Sequence, residues 1–163
     1  MTRAPIALIF WVAIIASGCN DAQHGVEPAT GFGRTDTVDT KSSKTLAPCP
    51  KTPNCVSSLE EKNGGHYIEP IHFSGDSAAA QVNLIAIIDS LRRAQVVAVQ
   101  TGYIHAEFTS AILRFVDDVE FYFDERQKVI QVRSASRVGY SDLGVNRRRV
   151  ETIRKLMNES IAP

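Results

Sequence analysis

The chain has 163 residues, 44% hydrophobic and 22% charged, so it can bury the core of one domain but is too short for two full-size domains. Eighteen basic residues balance eighteen acidic ones, and this net charge of +0 argues against a nucleic-acid-binding protein, which usually carries a basic excess. Three cysteines are too few for a disulfide-dense scaffold.

The first 19 residues have the composition of an export signal. Arg3 is the only charged residue before Asp21, and residues 4–15 form an uncharged, largely apolar run. A helix of this length spans about 18 Å, well short of the roughly 30 Å hydrocarbon core of a bilayer. The pattern therefore predicts a signal peptide rather than a membrane-spanning anchor.

Small residues at positions 16–18 precede Cys19, and this pattern resembles the lipobox of bacterial lipoproteins. The resemblance implies that Cys19 is acylated and anchors the mature protein on the periplasmic side of an envelope membrane, since two or more acyl chains bind stably. Asn20 in place of Asp implies the outer membrane rather than retention at the inner membrane. A plain secretory signal followed by an incidental cysteine is the alternative.

Residues 20–47 are rich in Thr, Gly and Ser and contain few large apolar side chains. Such a segment buries too little surface to offset its ordering entropy, so we expect a flexible tether. The folded domain is then expected to cover residues 48–160.

Cys49 and Cys55 open this domain and are the only thiols left if Cys19 is acylated. Because exported proteins meet an oxidising compartment, we expect a disulfide between them. Inert thiols, a metal pair and a redox pair are the alternatives, although five intervening residues differ from the two-residue spacing of redox motifs.

Hydrophobic periodicity predicts the element order β-α-β-β-β-β-α. Alternation of apolar and polar residues marks the strands, and helical spacing of apolar residues marks the helices. The predicted strands are residues 67–73, 95–100, 103–109, 112–124 and 129–137; the helices run from Asp76 or Ser77 to about residue 94, and from Asn146 as N-cap to about residue 159. This order favours the α+β class, with an antiparallel sheet of about five strands and two helices on one face, in a helix-grip-like two-layer arrangement.

The first strand and the first helix carry finer expectations. Pro70 places the first strand at a sheet edge, because proline cannot donate a ladder hydrogen bond. The first helix is expected to end with Arg92 and Arg93 in its last turn and to bury an apolar stripe made up of Val82, Ile85, Ala86, Ile88 or Asp89, and Leu91.

Alternation also predicts which residues face each other across the strands. A turn at Ser110 pairs Phe108 with Leu113, Ala106 with Phe115 and Glu107 with Arg114, and a turn near Arg126 pairs Phe123 with Ile130, Phe121 with Val132 and Glu120 with Arg133. The side of the sheet without helices then carries His105, Glu107, Arg114, Asp118, Glu120, Arg133 and Arg137. These residues form either a solvated set of ion pairs or a surface for a polar ligand.

Asp117 falls by parity on the apolar side of the sheet, across from Ser136. A buried carboxylate is costly unless it is hydrogen-bonded. Either a β-bulge turns Asp117 outward, or Asp117 forms a buried polar network with Ser134 and Ser136.

Residues 133–149 concentrate hydrogen-bond donors. Residues 126–155 carry nine basic and two acidic side chains, whereas residues 107–125 carry six acidic side chains and one arginine. Glycines and a helix start add backbone amide groups, so the segment has the features of an anion site. The candidate anion-binding residues are Arg133, Ser134, Ser136, Arg137, Ser141, Asn146 and Arg147. The alternative is that the acidic and basic stretches neutralise each other across the sheet.

Four runs resemble the family catalogued as domain of unknown function 1499. They are CPKTPNCVSS from Cys49, YIHAEFTS from Tyr103, RFVDDVEFYFD from Arg114 and RSASRVGYSDLGVNRRRVE from Arg133. The resemblance spans about residues 48–156. The family that the chain resembles includes bacterial envelope proteins and plastid-targeted plant relatives. It implies a shared α+β domain but no reaction, cofactor or catalytic residue.

Three functions remain open at this point. The first is a non-enzymatic, membrane-anchored binding or accessory module for an anionic small molecule, lipid headgroup or glycan. The second is an envelope scaffold that contacts another protein through the charged side of the sheet. The third is a hydrolase of unknown substrate, although the chain lacks a G-x-S-x-G motif and offers His105 and Glu107 without a third metal ligand. We therefore assign no catalytic residue, metal or cofactor.

Overall fold

Six β-strands and two α-helices make up residues 46–161, the part of the chain that the computed structural model describes. The predicted signal peptide, the acylation site at Cys19 and residues 20–45 of the predicted tether lie outside the described residues. Leu46, at the end of that predicted tether, is buried, and Ala47 is exposed. Within residues 46–161, no helix combines the length and apolar character that crossing a membrane requires.

The strands form one antiparallel sheet with the order β1-β6-β5-β4-β3, and β2 pairs with β6 beside β1. The strands are β1 Cys55–Ser57, β2 Ile71–His72, β3 Ala94–Gln100, β4 Tyr103–Thr109, β5 Val116–Asp124 and β6 Val129–Ser136, and the helices are α1 Ser77–Ser90 and α2 Val145–Ile161. The α+β class and the antiparallel sheet are thus confirmed, with six strands in place of about five.

The edge beside β6 differs from the prediction. Only Ile71 and His72 of the predicted strand 67–73 pair with β6, because Pro70 supplies no amide hydrogen to continue the ladder. The sequence prediction missed β1, whose three residues pair with residues 133–135 of β6. Three residues are too few to show an alternation pattern.

Helix α1 begins as predicted at Asp76, whose carboxylate accepts a hydrogen bond from the Ala79 amide at 3.1 Å. The predicted stripe is correct only in part: Ile88 is buried and Ile85 and Leu91 pack against the core, whereas Val82 is 69% exposed. The helix also buries Ala80, Leu84 and Ile87, which the stripe did not include. Apolar residues surround this helix on most sides, so spacing alone does not single out the buried face. The helix also ends at Ser90, which leaves Arg92 and Arg93 beyond its last turn.

Helix α2 is capped by Asp142 rather than by Asn146. The Asp142 carboxylate accepts hydrogen bonds from the amides of Gly144 at 3.0 Å and Asn146 at 2.6 Å. Asn146 lies inside the first turn, and its side chain is buried against the sheet. The rest of α2 buries Val150, Ile153 and Met157.

The two long hairpins test the predicted pairings. The β5–β6 register is confirmed at all three positions, including Glu120 opposite Arg133. The β4–β5 register was wrong: Phe108 lies opposite Asp117, and Glu107 lies opposite Asp118 instead of Arg114. Residues 110–115 form a wide loop, closed by a hydrogen bond from the Ser110 amide to the Phe115 carbonyl, so Arg114 does not lie in the sheet.

One apolar core lies between the sheet and the two helices. It combines strand residues of alternate parity with the inner sides of α1 and α2: Ile104, Ala106, Phe108, Val119, Phe121, Phe123, Ile130, Val132, Leu84, Ile88, Val150 and Ile153. The intervening strand residues, which are partly exposed, therefore lie on the opposite side of the sheet, and this side carries most of the candidate residues.

Candidate functional site

Three neighbouring strands, β4, β5 and β6, place charged side chains side by side on the sheet surface away from the helices. We call this surface the polar face and define it by Tyr103, His105, Glu107, Asp118, Glu120, Arg133 and Arg137. Alternation along each strand puts these residues on one side, and the ladder register aligns them across strands. Arg114, predicted to belong here, lies in the 110–115 loop instead.

Glu120 joins the outer strands of this surface through its two carboxylate oxygens. It accepts a hydrogen bond from the Tyr103 hydroxyl at 2.9 Å and one from Nη1 of Arg133 at 3.1 Å. Burial, followed by the hydrogen bond to Glu120, raises the pKa of Tyr103 to about 12. Tyr103 therefore remains a neutral hydrogen-bond donor at physiological pH.

Asp118 is the centre of the second group of polar contacts. It lies 2.7 Å from Nε2 of His105, and it accepts two hydrogen bonds from the Arg137 guanidinium, both at 2.8 Å. Arg137 also donates to Glu107. The hydrogen bonds from Arg137, with a smaller contribution from His105, hold the pKa of Asp118 below its usual range. The Asp118 and Glu107 carboxylates in turn raise the pKa of Arg137.

Arg133 has one hydrogen-bond donor that its neighbours do not satisfy. Its Nη1 binds Glu120, but its Nε is buried and lacks an acceptor. Its side chain is only 16% exposed. An unpaired buried donor is costly, so this atom is the point of the polar face where an added acceptor would contribute most.

The structure does not bring the seven predicted anion-binding residues together. Arg133 and Arg137 lie on the polar face, where they are already paired with carboxylates. The side chains of Ser134, Ser136 and Asn146 contact one another on the helix side of the sheet. Arg147 donates to the Gly65 carbonyl, and the Ser141 hydroxyl accepts from the Leu143 amide within its loop. Side chains of adjacent strand residues face opposite sides of the sheet, which separates the two arginines from Ser134 and Ser136. Ser141 and Arg147 lie outside the strands.

On the helix side, Asp117 belongs to a buried polar network, one of the two outcomes that the sequence left open. We define the buried network as Asp117, Arg149, Ser134, Asn146, Ser136 and Asn54. The Asp117 carboxylate accepts from Nη2 of Arg149 at 2.6 Å, and Nη1 of Arg149 lies 3.1 Å from the Ser134 hydroxyl. Asn146 then connects Ser134 to the Asn54 carbonyl, which it reaches at 2.9 Å.

Arg149 and Asn54 were missed at the sequence level. Arg149 follows Asn146 by three residues and precedes Ile153 by four, so helical spacing places it on the sheet-facing side of α2. This helical spacing could have indicated from the sequence that Arg149 faces the sheet. Asn54 lies in the short segment before β1, and nothing in its local sequence indicates burial.

The disulfide between Cys49 and Cys55 is confirmed. Cys55 lies in β1, and its carbonyl oxygen is 2.9 Å from Nδ1 of His66. A small pocket of about 140 Å³ adjoins it, with Gly144 and Arg147 on the opposite wall. Asp142 also lines this pocket, but no ion pair joins it to Arg147, whose guanidinium donates to the Gly65 carbonyl.

Two further chemistries find no support in the geometry. Among residues 46–161, the side chains of His66 and His105 contact the Cys55 carbonyl and the Asp118 carboxylate, and neither is hydrogen-bonded to a serine hydroxyl. Residues 46–161 also contain no group of three or more His, Cys, Asp or Glu side chains that could hold a metal ion.

The chain matches the model of a family described as "Protein of unknown function (DUF1499)" over residues 45–157, which confirms the resemblance drawn from the sequence. No curated protein matches the chain. Because the family model covers well over half of the 163 residues, the chain belongs to this family.

Proposed function

We propose that this member of the family is an exported, lipid-anchored accessory protein without enzymatic activity, and that its polar face binds another protein of the cell envelope. One observation carries the choice of a protein partner. The polar face holds three carboxylates and two guanidinium groups that are paired with one another, so it offers both signs of charge rather than a positive site.

A mixed surface of this kind suits a protein partner better than a small anion. An anion that approached Arg133 or Arg137 would have to displace Glu120, Asp118 or Glu107 and would meet a net negative surface. A protein surface with complementary charges can exchange partners with each of these pairs at once, and such complementarity supplies specificity and a fast association rate.

The membrane anchor is supported by the sequence pattern before Cys19. Mass spectrometry of the protein purified gently from membranes tests it directly. We expect the mature chain to begin at Cys19 and to carry the added mass of acyl chains. An unmodified Cys19, or cleavage at another residue, would refute the anchor.

Site-specific photo-crosslinking in cells tests the partner surface. A photoreactive residue at Tyr122, whose strand position places it between Tyr103 and Gln131, is expected to give one reproducible protein adduct. The same residue at Val82, which is exposed on α1, serves as the control and should not give that adduct. Monomer alone at both positions would contradict the proposal.

Charge reversal identifies whether the polar face itself makes the contact. Glu107→Lys should reduce the adduct strongly, since it places like charges beside Arg137 and changes the surface presented to the partner. Glu61→Lys makes the same charge change at an exposed position outside the polar face and should leave the adduct unchanged. Equal effects of the two substitutions would argue against this surface.

A second candidate, an anionic small ligand, is favoured by the unsatisfied Nε of Arg133. A carboxylate or phosphate oxygen that reached this atom would supply its missing acceptor. Native mass spectrometry of the membrane-purified protein should then reveal a bound ligand that Arg133→Ala loses while its circular dichroism spectrum is unchanged. Equal ligand retention in the wild type and the variant would exclude this candidate.

A further inference from the structure

One end of the molecule exposes an unusual number of large apolar side chains. Seven of the eleven exposed large hydrophobic residues among those described lie in two loops, residues 110–115 and residues 137–145, the second of which we count up to the first residue of α2. We call these two loops the apolar tip; its exposed apolar residues are Ile112, Leu113, Phe115, Val138, Tyr140, Leu143 and Val145. Single exposed apolar residues are ordinary, but a group of this size marks an interaction surface.

The two loops adjoin each other in space. The Arg137 amide donates to the Val116 carbonyl at 3.1 Å, which connects the end of β6 to the start of β5. Phe115 of the first loop and Val138 and Val145 of the second line one shallow pocket of about 120 Å³. Phe115, Val138 and Val145 therefore lie on one surface, and the other exposed apolar side chains belong to the same two adjoining loops.

Local hydrogen bonds hold both loops in shape. The Phe115 amide donates to the Ser110 hydroxyl at 2.9 Å, and the Ser110 amide donates back to the Phe115 carbonyl. In the second loop, the Asn54 side chain donates to the Gly139 carbonyl at 2.7 Å. The apolar side chains are thus presented before any partner binds, which lowers the ordering cost of an association.

The two loops and the first turn of α2 carry arginines without a carboxylate partner. Arg114, Arg147 and Arg148 have no carboxylate partner among the described ion pairs. Asp142 is the one acidic residue of residues 110–115 and 137–148, and its two oxygens are occupied by the amides that begin α2. The tip therefore combines apolar side chains with an excess of unpaired arginines.

We propose that the apolar tip inserts into the headgroup region of a bilayer that contains anionic phospholipid. Ile112 is 88% exposed and Leu143 is 84% exposed, so these side chains stand out from the surface instead of forming a flat patch. A lipid interface accepts protruding side chains without a matching pocket, and apolar residues flanked by arginines have the composition of interfacial membrane contacts. Tyr140 adds an amphipathic aromatic ring, which is favoured at headgroup level.

This inference does not depend on the polar face or on its partner. The tip lies at the β4–β5 end of the sheet, opposite the β5–β6 turn. On a lipid-anchored chain it would orient the domain on the membrane, whereas the anchor alone would leave it free to rotate.

Depth-dependent fluorescence quenching in vesicles tests the contact. The one tryptophan of the sequence, Trp11, lies in the predicted signal peptide and is replaced by Phe so that it gives no signal if that segment is retained. In this background Leu143→Trp reports the tip and Val82→Trp reports an exposed position on α1. The full chain is reconstituted into vesicles of phosphatidylglycerol and phosphatidylcholine whose acyl chains carry bromine. We expect the tip tryptophan to be quenched at least about threefold more than the control, since only an inserted side chain reaches the acyl region.

A charge reversal tests the role of the arginines. In the Leu143→Trp background, Arg114→Glu should lower the quenching in anionic vesicles, whereas Arg126→Glu, at the exposed opposite end of the sheet, should not. Pure phosphatidylcholine vesicles should give weaker quenching at the tip.

Three results would overturn the proposal. One is equal quenching at positions 143 and 82, which shows no insertion; because both reporters share any anchor, this outcome does not bear on Cys19. Another is quenching that is insensitive to the anionic lipid and to Arg114→Glu. The third is shielding of the tip tryptophan from a soluble quencher before lipid is added, which would assign the surface to a second copy of the chain.

Discussion

Carboxylate–arginine pairs occur on both sides of the sheet, and their surroundings differ. Asp117 and Arg149 of the buried network have side chains 9% and 11% exposed, whereas Glu107 and Arg137 of the polar face are 30% and 44% exposed. Burial removes the water that would otherwise stabilise a charge after its partner is lost. We therefore expect the buried network to contribute more to the free energy of unfolding than the ion pairs of the polar face.

The sharpest test of this contrast replaces one carboxylate by an amide on each side. Asp117→Asn leaves the buried Arg149 without a counter-ion, so we expect it to lower the free energy of unfolding by about 3–5 kcal/mol. Arg149 also stacks over the Phe108 ring at 4.6 Å, which ties the pair to the core. Urea denaturation followed by circular dichroism measures the loss.

Glu107→Gln is the matched control on the polar face. It removes one partner of Arg137, which keeps both hydrogen bonds to Asp118 and remains in contact with water. We expect a far smaller change than for Asp117→Asn. If the two substitutions destabilise the protein equally, burial does not separate the two sets of charges.

The second-largest loss of stability is expected on removal of the disulfide, which adjoins the buried network. Cys55 follows Asn54, whose carbonyl accepts a hydrogen bond from Asn146 in the network. Replacing Cys49 and Cys55 together by serine should cost about 2.4 kcal/mol, the loop-closure contribution of a bridge over so short a segment. The same denaturation measurement gives the value.

A reductant provides the internal control for that experiment. It should lower the stability of the wild type to that of the double serine variant and leave the variant unchanged. A variant as stable as the oxidised wild type would show that the network positions Asn54 without the bridge.

The sequence predicted correctly which side of the sheet the strand residues face, but it did not predict which residues of β4 and β5 lie opposite each other. The true β4–β5 register pairs Phe108 with Asp117 rather than with Leu113, a shift of an even number of residues that leaves each side chain on its predicted side. The alternation continues through Leu113 and Phe115, so the sequence does not show where β5 begins. The alternation of polar and apolar residues therefore identified the predicted residues of the polar face, except for Arg114, which lies in the loop between β4 and β5.

The residues of the predicted anion site lie apart for a different reason. A segment rich in donors was interpreted as one site, although the same alternation separates Arg133 from Ser134 and the α2 helix carries Arg147 elsewhere. The ion pair between Asp117 and Arg149 joins residues 32 positions apart. Such long-range pairs follow from how α2 packs on β6, which local patterns do not specify.

A smaller effect is expected within the polar face itself. Glu120 and Arg133 are 22% and 16% exposed, so water still reaches the pair. In a double-mutant cycle with Glu120→Gln and Arg133→Gln, we expect a coupling free energy of about 1 kcal/mol or less. Urea denaturation of the four proteins supplies it. A coupling as large as the loss from Asp117→Asn would mean that the polar face also holds the fold.

The smallest effect depends on pH and concerns Asp118. Hydrogen bonds from Arg137 and His105 lower its pKa from an ordinary value of 3.8, so folding favours the ionised carboxylate. The resulting stabilisation is fully present above the unfolded-state pKa and disappears as the pH falls through the lower pKa of the folded state. Asp118→Asn should therefore be less stable than the wild type at neutral pH and equally stable in acid. Denaturation of both proteins across the acidic range tests this, and a stability difference that persists after the wild-type carboxyl is protonated would show that shape, not charge, makes the contact.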